Sequence, residues 1–229
     1  MKIGIMQPYF LPYIGYWQLI NAVDKYVIYD DVNYIKNSWI HRNKLLLGGK
    51  EFLFNLIPFG TSSNKLICEI AVIENQSKLM KTIESAYKKA PFFDKVFPLV
   101  KSIIEYENKN LAKFIGNSII KIATYLEFNT VFIYSSELQK NSLLRSQEKV
   151  IHICLNLQGT EYYNAIGGIE LYNKADFDAN NIKLQFVKTK RIEYKQFNNQ
   201  FVPNLSILDI MMFNDKENIG IFLKEYELI

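Results

Sequence analysis

The segment that decides the fold is residues 2–44, KIGIMQPYFLPYIGYWQLINAVDKYVIYDDVNYIKNSWIHRNK. It begins with an apolar run at residues 3–6, which is typical of a buried strand, and continues into a turn with two prolines. A helical pattern covers residues 17–23, and a second apolar run covers residues 26–29. A strand, a helix and a strand within so short a distance predict a βαβ unit, with parallel strands and a right-handed crossover.

Polar residues follow each predicted strand at its carboxyl end. The turn at residues 7–12 follows the first strand, and Asp30 and Asp31 follow the second. Ligands of such units bind at this edge of the sheet, where the helix N-terminus offers free N–H groups. The two carboxylates could bind a metal, a ribose or an amino group, or one could act as a general base. The alternative is a solvated pair at an exposed strand end.

A basic and aromatic segment closes the stretch. Its four potentially cationic side chains and two rings are Lys36, His41, Arg42, Lys44, Tyr34 and Trp39. Such a set suits a diphosphate and a stackable base or sugar ring, and the alternative is an ordinary basic surface. His41 is the natural candidate for a neutral general base. The other histidine, His152, lies in an apolar helical run and is expected to be structural.

The remaining chain predicts one α/β domain over residues 1–229, with a parallel sheet like that of nucleotide-binding cores. Residues 1–75 form the βαβ core, residues 76–126 a helical section, and residues 127–229 a second α/β part. A glycine pair at residues 48–49 predicts a hairpin, and residues 65–73 a further strand. Helices are predicted at residues 92–105, 111–126, 146–157, 169–177 and 204–213, and strands at residues 128–134 and 183–187.

Composition narrows the classes of function. The net charge of +4 is small and spread along the chain, which argues against binding to nucleic acid or to a membrane surface. No apolar run is long enough to span a bilayer, and the N-terminus lacks a signal-peptide pattern. Cys68 and Cys154 lie far apart, so we expect unpaired thiols and a cytoplasmic protein.

Several catalytic motifs are missing from the sequence. It contains no nucleophile-elbow motif, no P-loop and no dinucleotide-binding glycine motif. Two histidines and two separated cysteines do not form a usual zinc site, so no metal is predicted.

The sequence Tyr13-Ile14-Gly15-Tyr16 at the predicted helix start resembles the HIGH-type loop of adenylyltransferases. In that family, two histidines contact the phosphates of ATP, and the glycine allows close packing of the nucleotide. Tyrosine occupies both histidine positions here. Because tyrosine donates a hydrogen bond but carries no positive charge, the resemblance implies a binding site without the nucleotidyl-transfer chemistry. The alternative is a tight turn packed by aromatic rings.

A broader resemblance extends over nearly the whole chain. The segment MQPYFLPYIGY at residues 6–16, with Asp30-Asp31-Val32 after it, resembles the WbqC-like protein family. The later segments YKKAPFF at residues 87–93 and FVPNLSILD at residues 201–209 agree with it. The family resembles products of bacterial polysaccharide and O-antigen gene clusters, and some members are described as glycine transferases acting on 4-amino-4,6-dideoxy sugars.

The resemblance implies aminoacyl (glycyl) or acyl transfer to the amino group of a dTDP-linked 4-amino-4,6-dideoxy sugar. The candidate catalytic residues are Asp30, Asp31 and His41, one of which would take the amine proton. The candidate substrate-binding residues are Gln7, Tyr9, Tyr13, Gly15, Tyr16, Tyr34, Lys36, Trp39, Arg42, Asn43 and Lys44. The acyl donor stays open between an ATP-activated acid, a thioester and a charged tRNA.

The sequence is also compatible with two other functions. One is a non-catalytic nucleotide or nucleotide-sugar binding protein on a decayed adenylyltransferase-like frame, which the two tyrosines favour. The other is a structural partner in a polysaccharide assembly complex.

Overall fold

The computed structural model of the protein describes residues 1–73, 76–141, 143–198 and 200–229. Its strands are β1 (Lys2–Met6), β2 (Lys25–Ile28), β3 (Arg42–Leu47), β4 (Lys50–Asn55), β5 (Pro58–Phe59), β6 (Ala71–Val72), β7 (Val131–Tyr134), β8 (Glu161–Ala165), β9 (Lys183–Thr189) and β10 (Tyr226–Leu228). Its helices are α1 (Ile14–Asn21), α2 (Ser77–Tyr87), α3 (Phe93–Ile104), α4 (Leu111–Tyr125), α5 (Ser146–Asn156), α6 (Lys174–Asp178), α7 (Ile207–Phe213) and α8 (Lys216–Phe222).

A six-stranded sheet in the order β10-β9-β8-β1-β2-β7 forms the centre of the protein. All neighbouring pairs are parallel except β9 and β10. The chain leaves β1 towards β2 and β7 on one side and later returns to place β8 on the other side of β1. The predicted α/β fold and its parallel βαβ unit are therefore confirmed, and the reversal of strand order at β1 and β8 is a topological switch point.

The alternation of side chains along β2 divides the interior into two layers. Tyr26 and Ile28 belong to the larger apolar core together with α1 and the helices α2–α4, whereas Val27 belongs to a smaller core together with α5 and α6. Successive side chains of a strand point to opposite faces, so this sheet is buried on both sides. The long apolar runs of the sequence reflect that double burial.

The segment between β2 and β7 adds a hairpin and three helices to one face. The predicted hairpin is confirmed as β3 paired with β4, and the predicted helices at residues 92–105 and 111–126 are confirmed as α3 and α4. The predicted helix at residues 146–157 is confirmed as α5, which follows β7 and packs on the other face. The predicted boundary at residues 75–76 lies partly outside the described residues.

Two predicted elements were wrong. Residues 65–73 form a 3-10 turn, Ile67–Glu69, followed by the two-residue strand β6, because Glu69 accepts a hydrogen bond from the Leu66 N–H at 2.7 Å and closes the turn. Residues 169–177 do not form one helix. A 3-10 turn, Ile166–Leu171, precedes α6, whose start is set by Asn173 capping the N–H of Ala175 at 3.0 Å.

The C-terminal elements α8 and β10 were not predicted. Asp215 caps α8 by accepting a hydrogen bond from the N–H of Asn218 at 2.8 Å. Strand β10 then pairs antiparallel with β9 and closes that edge of the sheet.

Candidate functional site

The loop that joins β1 to α1 is strained and firmly held. Leu11 is fully buried and has a φ of 48°, in the left-handed region that a bulky side chain rarely adopts. Its carbonyl accepts hydrogen bonds from Asn43 Nδ2 at 2.8 Å and Ser206 Oγ at 2.7 Å. Strained backbone of this kind persists where neighbouring structure over-determines it, and it concentrates at functional sites.

The next carbonyl in the loop is held in the same way. The oxygen of Pro12 accepts hydrogen bonds from Trp17 Nε1 at 3.0 Å and from the N–H of Ile207 at 2.9 Å. The loop is thus fixed by the hairpin strand β3, by α1 and by the start of α7. Helix α1 directly follows the loop, whereas β3 and α7 lie far from it in the sequence, so local contacts and the tertiary fold together set its position.

Two adjoining cavities open beside this loop at the carboxyl edge of the sheet. The first, of about 340 Å³, is lined by Tyr9, Pro12, Tyr13, Trp39, Asn43, Lys44 and Asn204. The second, of about 710 Å³, shares Tyr13 and Asn204 with it and extends along residues 189–194 and 200–205. We call the two together the aromatic cleft. Five of its lining residues belong to the set predicted from the sequence: Tyr9, Tyr13, Trp39, Asn43 and Lys44.

Tyr13 is fixed where the two cavities meet. Its hydroxyl is hydrogen-bonded to the side chain of Thr189 at the end of β9. A Cβ atom on Gly15 would lie 2.5 Å from the Tyr13 hydroxyl oxygen and 2.6 Å from Thr189 Oγ1, so only glycine leaves room for this contact. Gly15 therefore supports the cleft by letting the Tyr13 ring fold back over α1.

The outer wall of the second cavity is anchored on a buried carboxylate. Asp209 accepts hydrogen bonds from Tyr87 Oη at 2.9 Å, Tyr194 Oη at 2.7 Å and Gln196 Nε2 at 2.6 Å. Gln196 also exchanges two hydrogen bonds with the backbone of Val202, which ties the two ends of the wall together. Burial raises the pKa of Asp209 above the ordinary aspartate value, although the three donors oppose the shift.

The site residues predicted from the sequence do not include Asp209, Tyr194 or Gln196. A signal for Asp209 was present, because a carboxylate inside the apolar run at residues 207–213 has to find buried donors. Tyr194 and Gln196 carried no such signal. They lie in an irregular polar segment whose path only the fold defines.

Three of the predicted residues support the cleft without lining it. Tyr16 is buried, and its hydroxyl donates a hydrogen bond to the carbonyl of Gln7 at 2.9 Å. Its ring packs 5.6 Å from the ring of Tyr9, measured between centroids. Tyr16, Gln7 and Gly15 thus shape the loop that carries Tyr9 and Tyr13.

The basic segment borders the cleft. Tyr34 Oη lies 3.0 Å from His41 Nδ1. Burial, and to a smaller extent the nearby charge of Arg42, lowers the pKa of His41, so its imidazole is neutral at pH 7. The Arg42 guanidinium lies 5.5 Å from the centre of the Trp39 ring and donates to the carbonyl of Asn37. A neutral histidine and a cation on a tryptophan face therefore adjoin one another.

The two lysines of the basic segment differ in their surroundings. Lys44 lines the cleft and forms a partly exposed ion pair with Glu51 at 2.6 Å. Lys36 is exposed at the surface.

Asp30 and Asp31 follow β2 at the predicted edge of the sheet, but neither lines the aromatic cleft. Asp30 is fully buried and accepts hydrogen bonds from Ser136 through its N–H at 2.8 Å and its Oγ at 2.7 Å. Asp31 lines a separate cavity and pairs with Lys140 and Lys149. Burial alone would raise the pKa of Asp31, but hydrogen bonds from Lys140, Ser135 and Lys149 bring it below the ordinary value.

The described residues lack the features of a metal centre and of a membrane-spanning helix. Within them, no group of three or more histidine, cysteine, aspartate or glutamate side chains is arranged to hold a metal ion. None of the helices in the described ranges has the length and apolarity to cross a bilayer.

Comparison with known proteins gives a family match and one distant relative. Residues 7–221 match the family model described as "WbqC-like protein family". The protein Rv1507c of Mycobacterium tuberculosis (strain ATCC 25618 / H37Rv), described as uncharacterized, is 24% identical over 230 residues, which cover 98% of this chain and 96% of that protein. No solved structure matches the chain.

Proposed function

The chain belongs to the WbqC-like protein family, and we propose that it modifies a nucleotide-linked amino sugar in the cytoplasm during synthesis of O-antigen or another surface polysaccharide. The reaction is the transfer of an aminoacyl (glycyl) or acyl group to the amino group of a dTDP-linked 4-amino-4,6-dideoxy sugar. The observation that carries this proposal is the aromatic cleft itself, formed at the carboxyl edge of a parallel sheet by a strained and multiply held loop.

The lining of the cleft suits a nucleotide sugar. Tyr9, Tyr13 and Trp39 present aromatic faces on which a base or a sugar ring can stack. Lys44 in the lining, and Arg42 against the Trp39 ring, supply positive charge for a diphosphate. The Lys44–Glu51 pair is partly exposed, so exchanging Glu51 for a phosphate oxygen costs little.

The chemical step needs an uncharged amine. One N–H proton of the sugar ammonium must leave before its nitrogen attacks the acyl carbonyl carbon. A C–N bond then forms, the bond from the acyl carbon to its leaving group breaks, and the second N–H proton that the nitrogen gives up passes to the leaving group or to solvent. The leaving group is AMP, a thiol or the hydroxyl of a tRNA end, according to which of the three donor classes is used.

Among the three candidate bases, the surroundings of His41 suit the role best. Its imidazole is neutral at pH 7, and Tyr34 Oη fixes the ring from one side. Asp30 uses both carboxylate oxygens on Ser136. Burial raises the pKa of Asp31, but hydrogen bonds from Lys140, Ser135 and Lys149 bring it below the ordinary value, so this carboxylate is a weak base. We therefore assign proton removal to His41 and structural roles to the two aspartates.

The test combines ligand binding with product detection. Thermal unfolding is measured with dTDP, UDP, ATP, coenzyme A and a dTDP-linked 4-amino-4,6-dideoxy sugar, since a ligand that binds the folded state raises the midpoint. The protein is then incubated with that sugar and each of three donors, namely glycine with ATP, glycyl-coenzyme A and glycyl-tRNA. Mass spectrometry detects the glycylated sugar nucleotide.

Single variants locate the site. Tyr13→Ala and Trp39→Ala should lose the midpoint shift given by the amino-sugar nucleotide, whereas Phe59→Ala, an exposed ring outside the cleft, should keep it. His41→Asn should lower turnover far more than affinity. Equal binding by all three aromatic variants would refute the placement of the ligand, and full turnover by His41→Asn would refute the assignment of the base.

A second function has one observation in its favour. Tyr16, at the position of the second histidine of HIGH-type loops, is buried against the Gln7 carbonyl and lies outside the cleft lining. This favours a non-catalytic nucleotide or nucleotide-sugar binding protein on a decayed adenylyltransferase-like frame. That function predicts a midpoint shift with a nucleotide and no product with any of the three donors.

A further inference from the structure

A third cavity lies at the same edge of the sheet, beyond the ends of β2 and β7. It measures about 590 Å³ and opens where α5 begins. Its lining residues are Tyr29, Asp31, Val32, Asn33, Leu66, Leu138, Lys140, Arg145, Ser146 and Lys149. We call it the lysine pocket. It shares no lining residue with the aromatic cleft, so it is a separate site.

The lysine pocket holds more positive than negative charge. The side chains of Lys140 and Lys149 are only 8% and 10% exposed, and both ammonium groups contact the same oxygen, Oδ2 of Asp31, at 2.9 and 3.0 Å. The buried part of the pocket thus holds two ammonium groups against one carboxylate, whereas Arg145 lines it as an exposed residue. The neighbouring carboxylate, Asp30, does not line the pocket and uses both oxygens on Ser136.

Such an excess of buried charge is unfavourable without a further anion. Removing an ammonium group from water is strongly unfavourable unless opposite charge and hydrogen bonds replace the hydration. One carboxylate shared between two ammonium groups gives only part of that compensation. An anion bound in the pocket would supply the rest.

Hydrogen-bond donors remain available for that anion. An ammonium group has three N–H donors. Lys149 directs two of them to Oδ2 and the backbone oxygen of Asp31, the latter at 2.8 Å, and its ammonium lies 4.9 Å from the centre of the Tyr29 ring. Lys140 directs two to Asp31 and the carbonyl of Ser135. Among the described residues, no acceptor takes the third donor of either lysine.

We infer that the lysine pocket binds a phosphate group of a small molecule, with Lys140 and Lys149 as direct ligands and Asp31 as the residue that positions them side by side. A phosphate offers several oxygens that can accept from both lysines at once. The two lysines are buried in a cavity and are not spread over the surface, which suits a small molecule and not the backbone of a nucleic acid.

The inference is independent of the function proposed for the aromatic cleft, and its test uses inorganic probes. Thermal unfolding and calorimetric titration of the full chain are carried out with phosphate and with pyrophosphate, against sodium chloride of equal ionic strength. We expect both anions to raise the midpoint of the wild type above the chloride control. Pyrophosphate should bind more tightly if the natural ligand carries a diphosphate.

Two variants identify the direct ligands, and one serves as a control. Lys140→Gln and Lys149→Gln should each weaken pyrophosphate binding by about tenfold, which corresponds to the loss of one charge-assisted hydrogen bond. Lys188 lies on β9, at the other end of the strand order from β7, and pairs with Glu227. The Lys188→Gln variant should therefore bind pyrophosphate like the wild type. Lys140 lies in a loop, so its variant tests the inference even if Lys149→Gln does not fold.

The outcomes separate this site from the aromatic cleft. The inference is refuted if neither anion shifts the wild-type midpoint beyond chloride, or if Lys140→Gln binds pyrophosphate as tightly as Lys188→Gln. It is also refuted if Trp39→Ala, a change in the aromatic cleft, abolishes pyrophosphate binding while Lys140→Gln does not. Loss of dTDP-sugar binding in Trp39→Ala alone would concern only the proposed function.

Discussion

Replacing Asp209 with alanine is the sharpest test of how the cleft wall is held. The carboxylate is fully buried and receives three hydrogen bonds, from Tyr87, Tyr194 and Gln196. Tyr87 in turn accepts a hydrogen bond from the Leu46 N–H at 3.1 Å, so its hydroxyl cannot easily turn to another acceptor. Alanine removes the acceptor for all three donors at once.

The loss of stability in Asp209→Ala depends on whether each of the three donors can find another acceptor. A buried donor left without an acceptor costs about 1–3 kcal/mol. Tyr87 and Gln196 are buried and keep that penalty, whereas Tyr194 lines the second cavity, where water can replace the lost acceptor. Alanine also removes the burial penalty of the carboxylate itself. We therefore expect a net loss of about 3 kcal/mol in the free energy of unfolding.

Urea unfolding followed by circular dichroism measures this loss. The matched control is Asp215→Ala, which removes a helix cap on the surface and should cost about 1 kcal/mol. Limited proteolysis should in addition cut Asp209→Ala within residues 190–204 faster than the wild type. A loss no larger than that of Asp215→Ala would refute the reasoning that Asp209 anchors the wall.

The pH dependence gives a second readout on the same residue. Because burial raises the pKa of Asp209 in the folded state, the folded chain binds a proton more readily than the unfolded chain above the ordinary aspartate pKa. The free energy of unfolding of the wild type should therefore fall, relative to that of Asp209→Asn, as the pH rises from about 4 through the folded-state pKa. Equal pH profiles for the two proteins would contradict a raised pKa.

Three further predictions concern single groups. Gly15→Ala should lower the free energy of unfolding by about 1–3 kcal/mol, because the added methyl group meets the Tyr13 side chain, although alanine favours a helix. Urea unfolding in a double-mutant cycle should show a smaller loss when Tyr13 is already alanine. Burial lowers the pKa of His41, so the free energy of unfolding of the wild type should fall, relative to that of His41→Asn, as the pH drops below about 6.5. Equal pH profiles of unfolding free energy for the two proteins would contradict this. Burial raises the pKa of Cys154 to about 12 and also raises that of Cys68, so a thiol reagent at pH 8 should label both quickly only in urea.

The aromatic cleft and the lysine pocket divide the residues that the sequence grouped together. The sequence placed Asp30 and Asp31 with Tyr9 and Trp39 because both sets follow strands of one βαβ unit. The structure keeps both sets at that edge of the sheet, but Tyr9 and Trp39 line the aromatic cleft, Asp31 lines the lysine pocket and Asp30 is buried against Ser136. Each carboxylate is engaged by groups from the β7–α5 connection, which local spacing along residues 2–44 could not reveal.

The sequence by itself determined the elements that depend on local patterns. Apolar runs in β1 and β2, the glycine pair between β3 and β4, and the helical spacing of α3, α4 and α5 are all properties of neighbouring residues. Five cleft residues were also predictable, because the loop after a first strand and the segment after a second strand must share one edge of a parallel sheet.

Only the tertiary structure decided how the remaining groups meet. Asp209 reaches Tyr87 across 122 residues of chain, and Lys149 reaches the backbone oxygen of Asp31 across 118. Side-chain periodicity carries information over a few residues, whereas these contacts depend on the order of strands in the sheet and on the packing of distant helices. The strained φ of Leu11 has the same origin, since a loop adopts such a conformation only when partners from several distant elements hold it there.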